Sequence, residues 1–369
     1  MIYNLIAPCY FGTESAASFD FKRAGGTDIT VTDGRIAFRG DENVIASANL
    51  GSRCAERVLI LLKSYNAETF DELFDGVSSI AWEELLPSDA EFPVKGSSLS
   101  STLSSVPACQ KIVKKAIVER LRRGHKVNEL PENGALYKIR FAIRKNHVEI
   151  MLDTSGDGLH KRGYRKNSME APIKETLAAA IIDLGRIYPD TLAQDPFCGS
   201  GTLIIEAAMK AMNMAPGLRR RFSAEHFAFI KPEVWSLARE KALSEIRLDS
   251  TFEGIGFDID PAAIELAKQN AKLAGVSEHC RFFTADVKDF APGEGSMIFT
   301  NPPYGERLGS TDEAAVLEHT LGERLSANPV RGAYIITADA DFEQHYGTKA
   351  KRRRKLYNGM IPCQVYMYF

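Results

Sequence analysis

The sequence predicts an α+β N-terminal region followed by an α/β, doubly wound domain. The first half mixes strand and helix patterns without a repeating strand–helix order, which is typical of α+β structure. The second half alternates strand and helix and contains a glycine-rich turn between a strand and a helix. A length of 369 residues fits two or three domains.

The N-terminal elements are predicted from apolar alternation and helical periodicity. Strands are expected at Tyr3–Ala7, Asp28–Val31, Arg35–Phe38, Ala135–Ile143 and His147–Asp153, and helices at Ala48–Lys63, Thr69–Gly76 and Ser105–Arg123. A turn-rich stretch at 153–158 precedes the basic stretch 159–165. We therefore expect a hinge here and a domain boundary near residues 160–170.

The second half is predicted to build a parallel sheet from repeated strand–helix units. Strands are expected at Thr191–Asp195, Phe252–Asp258, Arg281–Ala285, Ser296–Thr300, Gly332–Thr337 and Gln364–Phe369, and helices at Ala171–Ile187, Thr202–Met212, Pro261–Ala274 and Asp312–Leu325. Asp260 before Pro261 and Gly275 after Ala274 are typical helix boundaries. Ligands of such a sheet bind at the carboxyl ends of its strands.

Positive charge is concentrated in one segment of a chain whose net charge is only −2. Residues 1–94 carry 7 Lys and Arg against 15 Asp and Glu, whereas residues 95–165 carry 15 against 6. A locally basic module is what a phosphate backbone requires, although a solvated helix face at Lys111–Lys126 would give the same pattern. The candidate RNA contacts are Lys114, Lys115, Arg122, Arg123, Lys126, Lys161, Arg162 and Arg165.

Several classes of protein are disfavoured by composition. The six cysteines are scattered without paired spacing, which suits reduced thiols in a cytoplasm and not a disulfide framework. No HExxH or CxxC motif occurs, so we expect no metal. No run of 18 apolar residues occurs, so we expect no membrane contact. The oligomeric state is left open, with a monomer slightly favoured.

A glycine-rich loop at Asp195–Thr202 links a predicted strand to a predicted helix. No lysine follows Gly201, which disfavours a nucleoside triphosphate, and Ile204 replaces the third glycine of a dinucleotide site. S-adenosylmethionine needs an acidic group for its cationic methionine moiety, which Asp195 can supply. A purely structural turn remains an alternative for the loop alone.

Two more acidic residues end the following strands. Asp258 can accept both ribose hydroxyls and Asp286 the adenine amino group, although each can also simply begin a turn. Three acids at successive strand ends fit adenosine recognition. The cofactor contacts are therefore predicted to be Asp195, Phe197, Gly199, Ser200, Gly201, Thr202, Asp258 and Asp286.

The fourth predicted strand ends in Asn301-Pro302-Pro303-Tyr304, which we take as the catalytic motif. The lone pair of an aromatic NH2 is delocalised into its ring. The side-chain carbonyl of Asn301 and the backbone carbonyl of Pro302 can accept its two N–H bonds and aim the lone pair at a methyl donor. The prolines stiffen the backbone, and the Tyr304 ring offers a stacking face for a flipped base.

The two motifs resemble those of a known family. Residues 195–208 (DPFCGSGTLIIEAA) and 301–308 (NPPYGERL) are similar to the THUMP-containing class I RNA methyltransferases, in particular the bacterial enzymes that methylate guanine N2 in large-subunit ribosomal RNA. The likeness extends to residues 155–165 and 171–178 and so covers most of the chain.

The resemblance implies four regions: a ferredoxin-like part at 1–65, a THUMP RNA-binding domain at 44–155 with overlapping limits, a hinge at 156–170, and an α/β Rossmann-like class I methyltransferase domain at 171–369. It implies S-adenosylmethionine as cofactor and ribosomal RNA of the large subunit, or its assembly intermediate, as partner. The alternatives are a tRNA guanine, DNA adenine or protein glutamine methyltransferase of the same mechanism, and a non-catalytic RNA-binding assembly factor.

Overall fold

The structure, a computed structural model, describes residues 1–165, 173–303, 311–359 and 361–369. The N-terminal region contains seven strands and five helices in this part of the chain. The strands are β1 (Tyr3–Pro8), β2 (Thr27–Thr32), β3 (Arg35–Gly40), β4 (Leu59–Asn66), β5 (Val94–Leu99), β6 (Ile139–Arg144) and β7 (His147–Asp153). The helices are α1 (Glu14–Arg23), α2 (Glu42–Gly51), α3 (Phe70–Ser78), α4 (Trp82–Leu85) and α5 (Val106–His125).

All seven N-terminal strands form one sheet in the order β2-β3-β1-β4-β7-β6-β5. Strand β4 pairs with β1 on one side and with β7 on the other, so it joins the two parts of the region. The predicted helix Ala48–Lys63 is wrong over most of its length. The helix ends at Gly51, and Leu59–Asn66 is a central strand, because its apolar residues are buried by pairing on both sides.

The second half contributes another seven strands and six helices among the described residues. The strands are β8 (Leu192–Asp195), β9 (Glu253–Asp258), β10 (Cys280–Thr284), β11 (Met297–Thr300), β12 (Gly332–Thr337), β13 (Arg352–Asn358) and β14 (Ile361–Tyr368). The helices are α6 (Glu175–Leu184), α7 (Thr202–Ala211), α8 (Pro232–Ser244), α9 (Pro261–Ala274), α10 (Thr311–Ser326) and α11 (Phe342–Tyr346).

The second sheet is mixed, whereas the sequence predicted a parallel sheet. Its order is β10-β9-β8-β11-β12-β14-β13, and the first five strands are parallel. Strand β14 runs antiparallel to β12 because it returns from β13 through a hairpin turn at Gly359, whose φ is +66°. Strand β13 is not among the strands predicted from the sequence.

The two halves share a buried core. The segment between α7 and β9 lies against the N-terminal sheet, and its Phe222, Phe227 and Trp235 belong to the N-terminal apolar cluster. The ring of Phe227 stacks on that of Tyr137, with centroids 4.5 Å apart. The contact between the halves is therefore part of the fold and not a loose linkage.

The described part of the predicted hinge, residues 156–165, is held by internal hydrogen bonds. The guanidinium group of Arg220 donates to the backbone carbonyls of Ser155, Asp157, Gly158 and Lys161. These bonds oppose free movement in this stretch. Residues 166–170 of the predicted hinge lie outside the described residues.

Candidate active site

The glycine-rich loop and the Asn301 motif meet at the carboxyl edge of the parallel strands. Strand β8 lies beside β11, with Ile298 paired to Gln194. One strand ends at Asp195 and the other at Thr300, and the Thr300 hydroxyl donates a hydrogen bond of 2.6 Å to Asp195 Oδ1. Asn301 follows immediately. The acidic residue of the glycine loop and the catalytic motif are therefore neighbours, as predicted.

Asp195 is a buried carboxyl group with one free oxygen. Its side chain accepts bonds at Oδ1 from Thr300 and from the backbone N–H of Phe197, while Oδ2 is buried and has no hydrogen-bond partner in the described part of the chain. Burial, with a smaller contribution from the nearby Asp258 carboxylate, raises its pKa to about 7 against the opposing effect of the two hydrogen bonds. An unpaired buried carboxylate oxygen is costly, which indicates that a cationic ligand group completes it.

The glycine loop is shaped by two left-handed residues. Gly199 has a φ of +51° and open space on its Cβ side, whereas a Cβ at Gly201, φ +81°, would lie 3.0 Å from the Phe282 ring. The backbone N–H of Gly199 donates to Asp258 Oδ2 over 2.9 Å, which links the loop to the end of β9. Open space beside Gly199 is what close approach of a ligand to the backbone requires.

The other predicted cofactor residues lie around this loop with different degrees of exposure. Asp286 is partly exposed at the end of β10, where its Oδ1 accepts from the backbone N–H of Lys288. Ser200 and Thr202 are buried, with their hydroxyl oxygens 3.4 Å apart. Phe197 packs against a buried apolar cluster. Contacts of these four residues with a cofactor remain predictions.

The catalytic motif is described as far as Pro303. Asn301 is partly buried, and its Oδ1 atom is buried without a hydrogen-bond partner among the described residues. Pro302 is buried and Pro303 partly buried. Asn301 directly follows Thr300, which binds Asp195, and an acceptor at this position is what an amine-orienting role requires. Tyr304 lies outside the described residues, so its predicted stacking role stays a prediction.

Two exposed apolar side chains at the same edge were not singled out from the sequence. Ile259, directly after Asp258, is 69% exposed, and Phe283, one residue before the end of β10, is 48% exposed. Large exposed apolar groups beside strand-end carboxylates can sandwich a flat ring such as adenine. The sequence signal that could have identified Ile259 as a candidate contact is its position as an apolar residue directly after the strand-end Asp258.

The predicted RNA contacts divide into exposed and internal residues. Lys115, Arg122, Arg123, Lys126 and Lys161 are exposed. Lys114 is partly buried and pairs with Glu132.

Two of these predictions, Arg162 and Arg165, are not supported. Arg162 is 2% exposed and binds the carbonyls of Ser52, Arg53 and Leu159, and Arg165 pairs with Glu175. Arg162 also pairs with Glu206 of α7 and so joins the two halves, whereas Arg165 ties its own segment to the start of α6.

Three titratable side chains form a cluster after the end of β12. The buried Glu318 of α10 and Asp339, after β12, both accept from His345 Nδ1, at 3.1 and 2.8 Å. Burial, together with the nearby Asp339, raises the pKa of Glu318 to about 7. These three groups also lie close enough to share a metal ion. No sequence motif marks this cluster, since its members come from three separate elements.

The fold and the edge define a class I methyltransferase, and the residues fit S-adenosylmethionine. The free Asp195 oxygen suits its cationic methionine end, Asp258 suits its ribose, and the space beside Gly199 admits the ligand. Comparison with known proteins agrees. A family model described as "RMKL-like, methyltransferase domain" matches residues 162–367, an "RlmL ferredoxin-like domain" matches 4–59 and a "THUMP domain" matches 67–153. The chain belongs to this RMKL-like methyltransferase family.

Relatives of known name match along the whole chain. The chain is 41% identical to the "Putative RNA methyltransferase YpsC" of Bacillus subtilis, over 100% of this chain and 96% of that protein. It is 34% identical to the "Ribosomal RNA large subunit methyltransferase K/L" of Syntrophotalea carbinolica, over 96% of this chain and 52% of that protein. The chain thus spans about half the length of the K/L relative.

Solved structures match equally well. A protein of Listeria monocytogenes described as "a predicted N6-adenine-specific DNA methylase" has a TM-score of 0.94 and 42% identity, covering 100% of this chain and 96% of that one. SMU.472, described as "a putative methyltransferase complexed with SAH", has a TM-score of 0.94 and 38% identity, covering 100% and 98%.

Proposed function

We propose that this enzyme transfers a methyl group from S-adenosylmethionine to the exocyclic N2 amine of a guanine in 23S ribosomal RNA. The observation that carries the amine assignment is the buried Oδ1 atom of Asn301, which has no hydrogen-bond partner among the described residues and directly follows the Thr300 that binds Asp195. An acceptor without a partner at the carboxyl edge needs a donor from a substrate. An exocyclic NH2 supplies two such donors.

The residues of the edge would orient the amine for attack. When bound, S-adenosylmethionine supplies an electrophilic methyl group on a sulfonium. Asn301 Oδ1 and the Pro302 carbonyl accept the two N–H bonds and hold the nitrogen lone pair away from ring conjugation. The nitrogen forms its bond to the methyl carbon as the carbon–sulfur bond breaks, and the surplus N–H proton leaves to water. Fixed acceptors lower the barrier by positioning the amine.

Ribosomal RNA is proposed as the substrate on three grounds. The K/L relative is named for the large ribosomal subunit, and YpsC is named for RNA. The THUMP match, residues 67–153, overlaps the basic segment 95–165, in which Lys and Arg outnumber Asp and Glu. Lys115, Arg122, Arg123 and Lys126 are exposed there and available to phosphates.

A DNA adenine N6 amine is the second candidate, because the Listeria structure is described in those terms. Asn301 Oδ1 and the Pro302 carbonyl can accept the N–H groups of either amine. These two acceptors therefore do not distinguish adenine from guanine, and the choice depends on which nucleic acid the protein binds. The THUMP match and the two relatives named for RNA favour guanine in RNA.

We infer that the enzyme works in the cytoplasm. Cys9, Cys54, Cys109, Cys198 and Cys280 are buried free thiols, as in a reducing compartment. None of the helices in the described part of the chain combines the length and apolarity that a bilayer-spanning segment needs.

Transfer of labelled methyl groups to purified 23S RNA tests the proposal. Unmethylated RNA, synthesised in vitro, is incubated with the enzyme and digested to nucleosides. N2-methylguanosine is expected from the wild type and not from Asn301→Ala, whose SAH affinity should stay within about twofold. Label in N6-methyladenosine, or equal transfer by Asn301→Ala, contradicts the proposal.

A further inference from the structure

The hairpin of β13 and β14 extends to the carboxyl edge of the catalytic sheet. Thr337, the last residue of β12, pairs with Gln364, which pairs in turn with Lys355. Tyr357 therefore lies beyond the end of β12, on the same edge as Asn301. Strands β14 and β13 are two and three positions from β11, about 10 and 14 Å at ordinary strand spacing.

The loop after β1 packs onto this hairpin from the N-terminal half. Arg354 Nη1 donates to the Gly12 carbonyl over 2.9 Å. A Cβ at Gly12 would lie 2.6 Å from the carbonyl oxygen of Lys355, so the two backbones are in direct contact. This contact brings Phe11 beside Tyr357, with ring centroids 6.5 Å apart and planes at 79°.

The surface formed there combines the exposed ring of Phe11 and the partly buried rings of Tyr10 and Tyr357 with positive charge. Phe11 is 46% exposed, and the Lys355 ammonium group lies 5.6 Å from the Tyr357 ring centroid. Lys174, just before α6, lies 5.4 Å from the Tyr10 ring centroid. Lys174 also pairs with Glu56, but no ion pair is formed by Lys355 within the described residues. We call Tyr10, Phe11, Lys174, Lys355 and Tyr357 the aromatic patch.

We propose that the aromatic patch binds the single-stranded RNA nucleotides next to the target guanine, with a base stacked on Phe11 and a phosphate at Lys355. Exposed rings interleaved with cations are the usual platform for single-stranded nucleic acid, because any base can stack and the phosphates are neutralised. The inference rests on the proposed function and adds a substrate subsite to it.

The distance between the aromatic patch and Asn301 suits a stretch of single-stranded RNA. A gap of about 10–14 Å corresponds to three or four nucleotides at roughly 3.4 Å per stacked base. A base turned out of the stack at Asn301 leaves its single-stranded neighbours without a stacking partner, and the exposed ring of Phe11 can replace that lost stacking. The aromatic patch lies within reach of those neighbours and carries the charge opposite to their phosphates.

The same strand offers a matched control at its other end. Lys351, just before β13, lies 5.3 Å from the ring centroid of Phe369, which is 48% exposed. This pair has the same chemistry as the aromatic patch but lies at the amino edge, about 13 Å along the strand from Lys355. Phe369→Ala and Lys351→Gln therefore report any general effect of losing an exposed ring or cation.

The test measures the KM for 23S RNA and the affinity for a labelled single-stranded oligoribonucleotide with a central guanine. Phe11→Ala should raise both the KM and the dissociation constant about tenfold, which lies within the range of about 5- to 150-fold that loss of one stacked base commonly costs. Values of kcat and SAH affinity should stay near wild type, and melting temperatures verify folding. Lys355→Gln should lower the slope of log affinity against log salt by about 0.7.

Three outcomes separate the subsite from the proposed function. If the wild type methylates 23S RNA and both patch variants match it, the subsite does not exist while the function stands. Equal losses in the control variants at Lys351 and Phe369 overturn the subsite as well. If the wild type transfers nothing to RNA, the proposed function fails and the subsite fails with it.

Discussion

The ionisation of Asp195 should control cofactor affinity in the neutral pH range. Burial raises the pKa of this carboxyl group to about 7, so it gains a proton as the pH falls through that value. The cationic amine of the methionine moiety requires the ionised form. The affinity for the cofactor should therefore be high above pH 7 and fall below it. This is the direction expected for a group that binds its ligand as a carboxylate.

The size of this effect follows from the titration curve. With a pKa of about 7, the ionised fraction of Asp195 rises from roughly one tenth at pH 6 to roughly three quarters at pH 7.5. The dissociation constant for SAH should fall about eightfold over this interval, close to 1.2 kcal/mol. The interval ends at pH 7.5 because free α-amino groups begin to lose their protons near pH 8.

Isothermal titration calorimetry with SAH at both pH values measures the change. Asp195→Asn keeps the shape of the side chain and cannot ionise, so its affinity should be weak and nearly independent of pH. A wild-type dissociation constant that varies less than twofold refutes the reasoning. So does an Asp195→Asn variant that binds as tightly as the wild type at pH 7.5.

Three other substitutions test separate parts of the account. Asp258→Ala should weaken SAH binding more than tenfold, since this carboxylate also holds the Gly199 N–H, and calorimetry checks it. Glu318→Gln should flatten the fall in melting temperature as pH rises from about 5 to 8. The raised pKa of Glu318 means that the folded state holds its proton more tightly than the unfolded chain. Arg162→Ala should cost about 3–5 kcal/mol of unfolding free energy in urea titrations, because Glu206 is left buried without its partner.

Each of these expectations has a clear contrary result. Unchanged SAH affinity in Asp258→Ala would remove the ribose assignment. The wild-type pH slope in Glu318→Gln would show that another group carries the titration; His345, whose pKa is also raised, acts in the same direction. A loss under 1 kcal/mol in Arg162→Ala would mean that the contact between the halves is weak.

The catalytic edge could be predicted from the sequence because its residues lie at strand ends. Each strand-end acid and Asn301 follows a short apolar run, and parallel strands bring their carboxyl ends together. The same local logic placed α9 and β12 at their observed bounds. These features depend on short-range patterns alone.

Features that depend on contacts distant in sequence could not be predicted. The apolar run of β4 was taken for part of a helix because a buried strand and a buried helix look alike over a few residues. Arg162 was predicted to contact RNA, yet its guanidinium group is buried and bonds within the protein. The aromatic patch unites Phe11 with Tyr357, which are 346 positions apart.

The shared core also affects how the RNA-binding half can be tested. Phe222 and Trp235 lie in the N-terminal apolar cluster, so deleting that half would expose them. Charge substitutions on α5, such as Arg122→Gln with Arg123→Gln, are therefore the suitable probe of the THUMP region.

Mass spectrometry of digested ribosomal RNA, from cells with and without this gene, tests the central claim most directly. The account predicts that one N2-methylguanosine in 23S RNA is absent without the gene and restored by the wild type but not by Asn301→Ala. An unchanged set of N2-methylguanosines, or the loss of a different modified base, would contradict it.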